Sequence, residues 1–284
     1  MNSSLLSLLD HLKKSSQDFS GFAVDVGGHR GDYSKFLLGI GCFDKVYSFE
    51  PLPENFIFLK ELSAREGVGF FPVLKALGAQ KGSLNINYDE DLATASLLQY
   101  EKNYHSLGAR QTKLVEVDTL DDFLRSFPSG RLAFLKIDTQ GNDLAVIDGG
   151  SRVIARDRPI IQVEFIFSKM YEGQCSPKDL ISSLSKLKYI LYSVNNIHVS
   201  QQGRLAFCDA LFVPAEISFP EDGPFRCIDD ESSFSKQLAE LSRVCEERLE
   251  LINRLDSELK HKISNVASSN FFVDVFKRAF KWGR

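Results

Sequence analysis

The sequence is poor in cysteine, and its cysteines form no recognisable pattern. Five cysteines in 284 residues are odd in number and contain no C-x-x-C pair, which argues against a disulfide framework and against a structural zinc site. They are Cys42, Cys175, Cys208, Cys227 and Cys245. We therefore expect a reduced, cytoplasmic protein.

The sequence also lacks a long apolar run and an excess of basic residues. A membrane-spanning helix needs about 20 consecutive, mostly apolar residues, and no window here approaches that length. A net charge of −4 gives no general reason to bind nucleic acid, because phosphate backbones attract clustered Lys and Arg. The leucine-rich segment 5–12 lacks the basic leader and cleavage site of a signal peptide, and we expect it to form a short amphipathic helix on the domain.

What the sequence does contain is an alternation of strand-like and helix-like segments. Short apolar runs predict strands at 21–28, 45–50, 70–78, 131–138, 159–165, 189–194 and 204–213. Helices are predicted at 53–65, 118–127, 140–149 and 176–187. This order is typical of a mainly parallel sheet covered by helices, closed by an antiparallel pair. We expect a Rossmann-like α/β domain over residues 1–214.

The segment after this domain changes in composition. Residues 215–230 are rich in Pro, Gly, Asp and Glu and are interpreted as a linker. Within 231–266, side chains spaced alternately four and three residues apart form a heptad seam that Arg248 interrupts. The seam consists of Phe234, Leu238, Leu241, Cys245, Arg248, Ile252, Leu255 and Leu259. It predicts a coiled coil that forms a homo-oligomer, or alternatively a solvated helix on its own domain.

The final segment, 267–284, is predicted to contain an amphipathic helix. Over residues 271–284, aromatic and apolar side chains occupy one half of a helical wheel, and four basic residues with one Asp occupy the other. Such a helix suits peripheral contact with an anionic membrane surface. Packing of the aromatic residues into a partner chain or the core is the alternative.

The strongest chemical signal is the segment 24–34, VDVGGHRGDYS, where a predicted strand runs into a glycine turn and a helix. Glycines let a ligand approach the backbone, and the helix start offers free N–H donors. The dinucleotide pattern G-x-G-x-x-G is disfavoured because positions 25 and 30 are Asp and Arg. An acidic residue here suits a positive amino group, as on the methionine portion of S-adenosylmethionine. Glu50, 19 residues beyond Gly31, can bind ribose hydroxyls.

The order of these motifs resembles the FkbM family of methyltransferases. That family has a D-V-G-x-x-x-G motif, an E-P pair, a strand with a downstream hairpin, a V-x-V-x-T-L-D segment and K-I-D-x-x-G-x-(E/D). Here they correspond to Asp25–Gly31, Glu50–Pro51, Val73–Tyr88, Val115–Asp121 and Lys136–Asp143. The resemblance covers residues 21–165, about half of the chain. It departs from the family at His29, often Asn, and at Asp143, usually Glu.

The resemblance implies a seven-stranded class I methyltransferase fold that binds S-adenosylmethionine. The segment with Asp25, Gly27, Gly28, His29 and Gly31 would hold the methionine end, and Glu50 the ribose. The residues that would border the adenine are Pro51, Leu52, Leu77 and Gly78. Core or turn packing is the alternative for each of these four.

Catalytic candidates lie at the ends of two later strands. Asp138 ends the predicted strand FLKID, at the edge where open α/β sheets bind ligands. Asp138 or Glu164 could act as general base for a hydroxyl, with Lys136 as an orienting charge or with its amine solvated. His29 and His105 could contact ligands or be ordinary loop residues. No metal site is expected.

The resemblance further implies O-methylation of a hydroxyl on a sugar, a glycan or a glycosylated metabolite. With a membrane-docking tail, such an enzyme could modify polysaccharide at the cytoplasmic face of the membrane. One alternative is a non-catalytic scaffold that keeps the fold. Another, an NAD-dependent sugar-nucleotide enzyme, would need the glycine pattern that this chain lacks.

Overall fold

The computed structural model describes residues 3–14, 19–102, 109–126, 130–200, 203–217 and 254. Contacts divide the chain into two compact units, 1–223 and 224–284. The predicted coiled coil and the predicted amphipathic tail lie outside the described residues, apart from residue 254, and so does His105. None of the helices in the described ranges is long and apolar enough to cross a membrane.

Strands and helices alternate along the first unit. The strands are β1 (Phe22–Val26), β2 (Val46–Phe49), β3 (Phe70–Val73), β4 (Ala76–Leu77), β5 (Gly82–Tyr88), β6 (Gln111–Asp118), β7 (Leu132–Ile137), β8 (Ile160–Ile166), β9 (Tyr189–Val199) and β10 (Leu205–Pro214). The helices are α1 (Ser3–Lys14), α2 (Asp32–Ile40), α3 (Pro53–Glu66), α4 (Leu120–Ser126), α5 (Asp143–Gly149), α6 (Ser151–Asp157) and α7 (Pro177–Lys186).

The main sheet has seven strands in the order β3-β2-β1-β7-β8-β10-β9. The first five are parallel, and β10 is antiparallel to both of its neighbours, β8 and β9. The mixed α/β architecture with seven strands in its main sheet confirms the Rossmann-like part of the fold class predicted from the sequence, whereas the predicted coiled-coil tail stays a prediction. From β1 the chain continues to β2 on one side and later returns to β7 on the other side of β1. The crevice between the carboxyl ends of β1 and β7 is therefore the expected place for a ligand.

A second sheet of three strands, in the order β4-β6-β5, corrects one predicted strand. The run 70–78 was expected to be continuous, but it is split into β3 and β4, which belong to different sheets. The break falls after Val73, where the N–H of Lys75 donates to the Val73 carbonyl in a tight turn. β4 then pairs with β6, which contains the first four residues of the motif VEVDTLD.

The core lies between the main sheet and its helices. Ala23, Phe134 and Ile160, from three central strands, are fully buried, and α1 adds Leu5, Leu8, Leu9 and Leu12 to the same cluster. Burying a leucine side chain contributes roughly 1.5–3 kcal/mol. This packing confirms that the leucine-rich segment forms an amphipathic helix against the domain.

Candidate active site

The glycine turn between β1 and α2 is required by close packing. Gly27 and Gly31 have φ angles of 81° and 86°, in the left-handed region that other residues avoid. A Cβ atom on Gly27 would lie 1.9 Å from the backbone oxygen of Asp138. The turn therefore lies directly against the end of β7, and Gly31 precedes the first residue of α2.

Glu50 follows β2, and backbone N–H groups orient its carboxylate. The N–H of His29 donates to Oε2 at 2.8 Å, and the N–H of Leu52 donates to Oε1 at 2.9 Å. Burial raises the pKa of Glu50 to about 7, although these hydrogen bonds favour the charged form. A carboxylate can accept about four hydrogen bonds, so Glu50 keeps acceptor capacity for a ligand.

A cavity of about 460 Å³ opens beside Glu50, within the range of about 300–1,000 Å³ common for small-molecule sites. It lies at the carboxyl ends of the central parallel strands. Seven residues predicted from the sequence line it: Gly27, His29, Glu50, Pro51, Leu77, Asp138 and Glu164. The tertiary structure thus brings five of the ten predicted cofactor-binding residues and the two predicted general bases to one cavity.

Lys136 is a buried ion-pair partner rather than a solvated cation. Its Nζ lies 3.3 Å from Oδ1 of Asp25 and 3.3 Å from Oδ2 of Asp138, and 5.2 Å from the centre of the Tyr33 ring. Burial by itself lowers the pKa of Lys136, but the two carboxylates outweigh this and raise it above its ordinary value. Lys136 therefore stays charged and holds Asp138 in place, while its amine remains outside the cavity.

Gln140 connects the two candidate bases. Its Nε2 donates to Oδ1 of Asp138 at 3.1 Å and to Oε2 of Glu164 at 3.0 Å. Its Oε1 accepts a hydrogen bond from the Tyr171 hydroxyl at 2.9 Å, and this contact determines which way the amide points. Gln140 has a φ of 55°, which is unusual for a residue with a side chain and directs the amide between the carboxylates.

Two further carboxyl groups surround this pair. Asp143 begins α5 and is fully buried, and burial raises its pKa to about 7. Asp209 in β10 lies directly opposite Glu164 in β8, and burial raises the pKa of Asp209 as well. Among the residues that the structure describes, no group of three or more His, Cys, Asp or Glu side chains is arranged to hold a metal ion.

Six predicted site residues are not among those that line the cavity, and the roles predicted for them stay predictions. They are Asp25, Gly28, Gly31, Leu52, Gly78 and Lys136. Asp25 accepts a hydrogen bond from the Ser34 hydroxyl at 2.6 Å, and its carboxylate is fully buried beside Lys136. Leu52 packs in the hydrophobic cluster of the small sheet, and the Gly78 N–H donates to the Asp118 carbonyl.

Gly28 and His29 differ in role within the glycine turn, because Gly28 packs against the sheet and His29 lines the cavity. A Cβ on Gly28 would lie 2.1 Å from Oγ of Ser48, so this glycine permits packing on β2. His29 lines the cavity with a φ of 47°. Burial, and then the nearby charge of Arg30, lower the pKa of His29 below 6.5. A neutral imidazole therefore stands at the cavity edge.

Sequence reasoning missed the wall formed by residues 91–97. Within that segment Asp91, Thr94 and Leu97 are among the lining residues. The segment is attached to the strand ends because the Ser96 hydroxyl donates to the Gln140 carbonyl at 2.7 Å. The remaining lining residues that the sequence did not indicate include Lys75, Gln140, Asn142, Ile166, Met170 and Phe207. Gln140 and Asn142 occupy variable positions of the motif Lys136–Asp143, Lys75 lies at an unspecified position within Val73–Tyr88, and the other three lie outside the motifs, so the motifs did not indicate these residues.

Comparison with known proteins gives one match to a family model and several to solved structures. The model described as the methyltransferase FkbM domain matches residues 25–191. No curated protein matches the sequence. A crystal structure of the methyltransferase FkbM from Methylobacillus flagellatus KT is 16% identical, with a TM-score of 0.43, and the match covers 68% of this chain and 44% of that one.

Two other solved structures are similar at the same low level. A protein of the NADB-Rossmann superfamily from Streptococcus agalactiae is 12% identical, with a TM-score of 0.43 and coverage of 84% of this chain and 80% of that one. The Burkholderia thailandensis 1,6-didemethyltoxoflavin-N1-methyltransferase, solved with S-adenosylhomocysteine, is 11% identical, with a TM-score of 0.38 and coverage of 69% and 71%.

The structural similarities are weak, and the family assignment rests on the sequence match. That match begins at Asp25 in β1 and ends in β9. It therefore includes the glycine turn, Glu50, Asp138 and Glu164, and it spans more than half of the chain. This protein belongs to the family of methyltransferases that have an FkbM domain.

Proposed function

We propose that this protein transfers a methyl group from S-adenosylmethionine to a hydroxyl of a sugar, a glycan or a glycosylated metabolite. One observation carries the proposal. Glu50, held by backbone N–H groups of the glycine turn and of Leu52, faces the same cavity as Asp138 and Glu164. A group that binds ribose and a group that accepts a proton would then serve one bound cofactor.

The residues of the cavity fit this cofactor in charge and polarity. Among the described residues, four carboxylates and one lysine line it: Glu50, Asp91, Asp138, Glu164 and Lys75. An excess of carboxylates attracts a ligand that carries a sulfonium and an ammonium group. The buried Nδ2 of Asn142 has no hydrogen-bond partner among the described residues, which leaves a donor for a ligand oxygen.

Different residues of the cavity would contact different parts of the cofactor. Gly27 and His29 would lie against the amino-acid end, Glu50 would accept hydrogen bonds from the ribose, and Pro51 and Leu77 would contact the adenine. When bound, S-adenosylmethionine supplies a methyl group on a positively charged sulfur. The protein's main contribution is alignment of the acceptor oxygen with that methyl group, an effect that can reach effective molarities of about 10⁵ M or more.

Asp138 is the best-placed base of the two candidates. Its side chain is one third exposed and is held by Lys136 and Gln140. A positioned base of this kind typically contributes about 10²- to 10⁴-fold to the rate. Glu164 stands beside it, and burial followed by the charge of Asp138 raises the pKa of Glu164 well above its ordinary value.

The surroundings of the two candidate bases favour a neutral acceptor. An acceptor carrying phosphate or carboxylate would be repelled by Asp138 and Glu164, whereas a hydroxyl can donate to either. Ile166, Met170 and Phe207 line this part of the cavity and offer an apolar surface to the carbon face of a sugar ring. The sugar class itself is proposed from the resemblance to the family.

Membrane contact and self-association are proposed from the tail sequence. Deleting residues 271–284 should move the protein from the membrane fraction to the soluble fraction after cell lysis, and reversing the charge of Lys277 and Lys281 should act in the same direction. Unchanged membrane association would contradict the proposal. The variant Ile252→Asp, at a heptad position, should reduce the molecular weight measured by sedimentation if residues 231–266 form the oligomer.

Calorimetric titration with S-adenosylhomocysteine tests the cofactor assignment. Wild-type protein should bind, and Glu50→Ala should lose binding while keeping its circular dichroism spectrum. Glu61→Ala, at an exposed position of α3, is the matched control and should bind as the wild type does. A folded wild-type protein that does not bind would favour the alternative of a non-catalytic scaffold.

A further inference from the structure

Four carboxyl groups from four elements meet beside the cavity. Asp138 follows β7, Glu164 lies in β8, Asp209 lies opposite it in β10, and Asp143 begins α5. Of these four, only Asp138 forms an ion pair within the described part of the chain, with Lys136. The other ionisable groups that act on this cluster are Asp25 against Lys136, His29 in the glycine turn and His198 near Asp209. The cluster as a whole carries more acids than cations.

Asp138 and Glu164 are coupled to each other by geometry. A single nitrogen, Nε2 of Gln140, donates to both, at 3.1 and 3.0 Å. Two carboxylates within reach of one nitrogen are close enough that the charge on one disfavours the charge on the other. The Tyr171 hydroxyl holds the amide in this direction from behind, so the arrangement is fixed before any ligand binds.

The surroundings of Glu164 also favour its protonated form. Burial is the largest cause that raises the pKa of Glu164, followed by the charges of Asp138, Asp143 and Asp209, and Lys136 opposes them. Lys136 is already paired with Asp138 and Asp25, so little of its charge is directed at Glu164. A positive charge placed in the cavity would have a large effect on such a pair.

We propose that Asp138 and Glu164 form a coupled carboxylate pair that binds one proton in the ligand-free protein and releases it when a ligand with a positively charged reacting centre enters the cavity. This inference rests on the proposed function, because it takes the cavity to be the cofactor site. It adds a function for Glu164, as the group that carries the exchangeable proton, and it leaves both carboxylates of the pair ionised only when the methyl donor is present.

The exchange balances over one methyl transfer. The pair, having lost its proton to solvent, accepts the proton of the acceptor hydroxyl as the new O–C bond forms. The C–S bond breaks with its electrons going to sulfur, which becomes neutral. The pair then holds one proton again, and no positive charge opposes it. The next charged ligand repeats the release.

Calorimetry with two ligands isolates this event without an acceptor substrate. S-adenosylmethionine and S-adenosylhomocysteine differ by one methyl group and one permanent positive charge, so proton exchange at Glu50 or His29 contributes equally to both. Titrations at pH 7.5 in phosphate and in Tris, which have different ionisation enthalpies, give the number of protons released. We expect S-adenosylmethionine to release close to one proton more than S-adenosylhomocysteine does.

Variants identify the group responsible. Glu164→Gln should abolish the difference between the ligands, and Asp138→Asn should reduce it, because the charge of Asp138 adds to the effect of burial in raising the pKa of Glu164. Asp209→Asn, the matched control in β10, should retain most of the difference. Circular dichroism establishes that each variant is folded.

The outcomes separate this inference from the proposed function. If neither ligand binds the wild-type protein, the proposed function fails. If both bind and release equal numbers of protons, or if the difference survives in both Glu164→Gln and Asp138→Asn, the carboxylate pair is refuted while the cofactor site stands.

Discussion

We expect Glu50 to set the pH dependence of S-adenosylhomocysteine binding. Burial raises its pKa to about 7 in the ligand-free protein, so the carboxylate gains its proton within the physiological range. Ribose hydroxyls donate hydrogen bonds to the ionised form, and a ligand that prefers this form lowers the pKa on binding. Affinity should therefore rise with pH until the free carboxyl group is fully ionised.

The magnitude follows from the fraction ionised. With a pKa of about 7, Glu50 is about one tenth ionised at pH 6 and about nine tenths ionised at pH 8, so the dissociation constant should fall about tenfold between them, or about 1.4 kcal/mol. Calorimetry at half-unit steps from pH 6 to 8 measures this directly. Glu50→Gln should bind more weakly throughout and should show little of this dependence.

Two results would refute this reasoning. A wild-type dissociation constant that is constant from pH 6 to 8 would mean that Glu50 is ionised throughout or does not contact the ligand. An unchanged dependence in Glu50→Gln would assign the titration to another group. Asp143, whose pKa is also raised to about 7, is the first to examine, with Asp143→Asn.

Three further predictions concern stability. Because the pKa of Asp143 is raised to about 7 in the folded protein, the free energy of unfolding should fall as pH rises from about 4 to 7. Asp143→Asn removes this effect, so above pH 7 it should be more stable than wild type by up to about 4 kcal/mol. Urea titrations measure the gain, which should be absent at pH 4. Gly27→Ala should prevent stable folding because its Cβ would overlap backbone atoms. Gly39→Ala, at an open helical position, should raise the free energy of unfolding by about 1 kcal/mol. Thermal melting compares the two variants. Lys136→Met should cost about 3–5 kcal/mol by leaving the buried Asp25 without its cation, and an unchanged melting temperature would contradict the ion pair.

The placement of Glu50 and of the two candidate bases was accessible from the sequence for a simple reason. Each follows or ends a strongly apolar run, and in a parallel sheet the carboxyl ends of neighbouring strands share one edge. The run FLKID places Asp138 there without any knowledge of side-chain contacts. The glycine turn is similarly local, since its positive φ angles at Gly27 and Gly31 need residues without a Cβ.

The sequence could not predict in the same way which strand-end side chains are buried and which line the cavity. Asp25 and Asp138 both lie at the end of a strand in the sequence, yet one is fully buried on Lys136 and the other is partly exposed in the cavity. Asp25 is in register with Lys136, and Asp138 lies two residues beyond Lys136, so both side chains are on the same face of the sheet. Their burial differs because Asp25 lies within β1, whereas Asp138 follows the last residue of β7. Leu52 and Gly78, one position beyond Pro51 and Leu77, do not line the cavity.

The sequence by itself determined the alternation of strands and helices, the glycine turn and the acidic residue after the second strand, because each depends on the preferences of neighbouring residues. Only the tertiary structure decided that Gln140 bridges Asp138 and Glu164, and that residues 91–97 form a wall of the cavity. Gln140 and Asp138 are neighbours in the sequence, but Glu164 lies 24 residues beyond Gln140 and Ser96 lies 44 residues before it, and no periodic pattern connects them. Their proximity follows from strand order and register, which bring distant parts of the chain to one edge of the sheet.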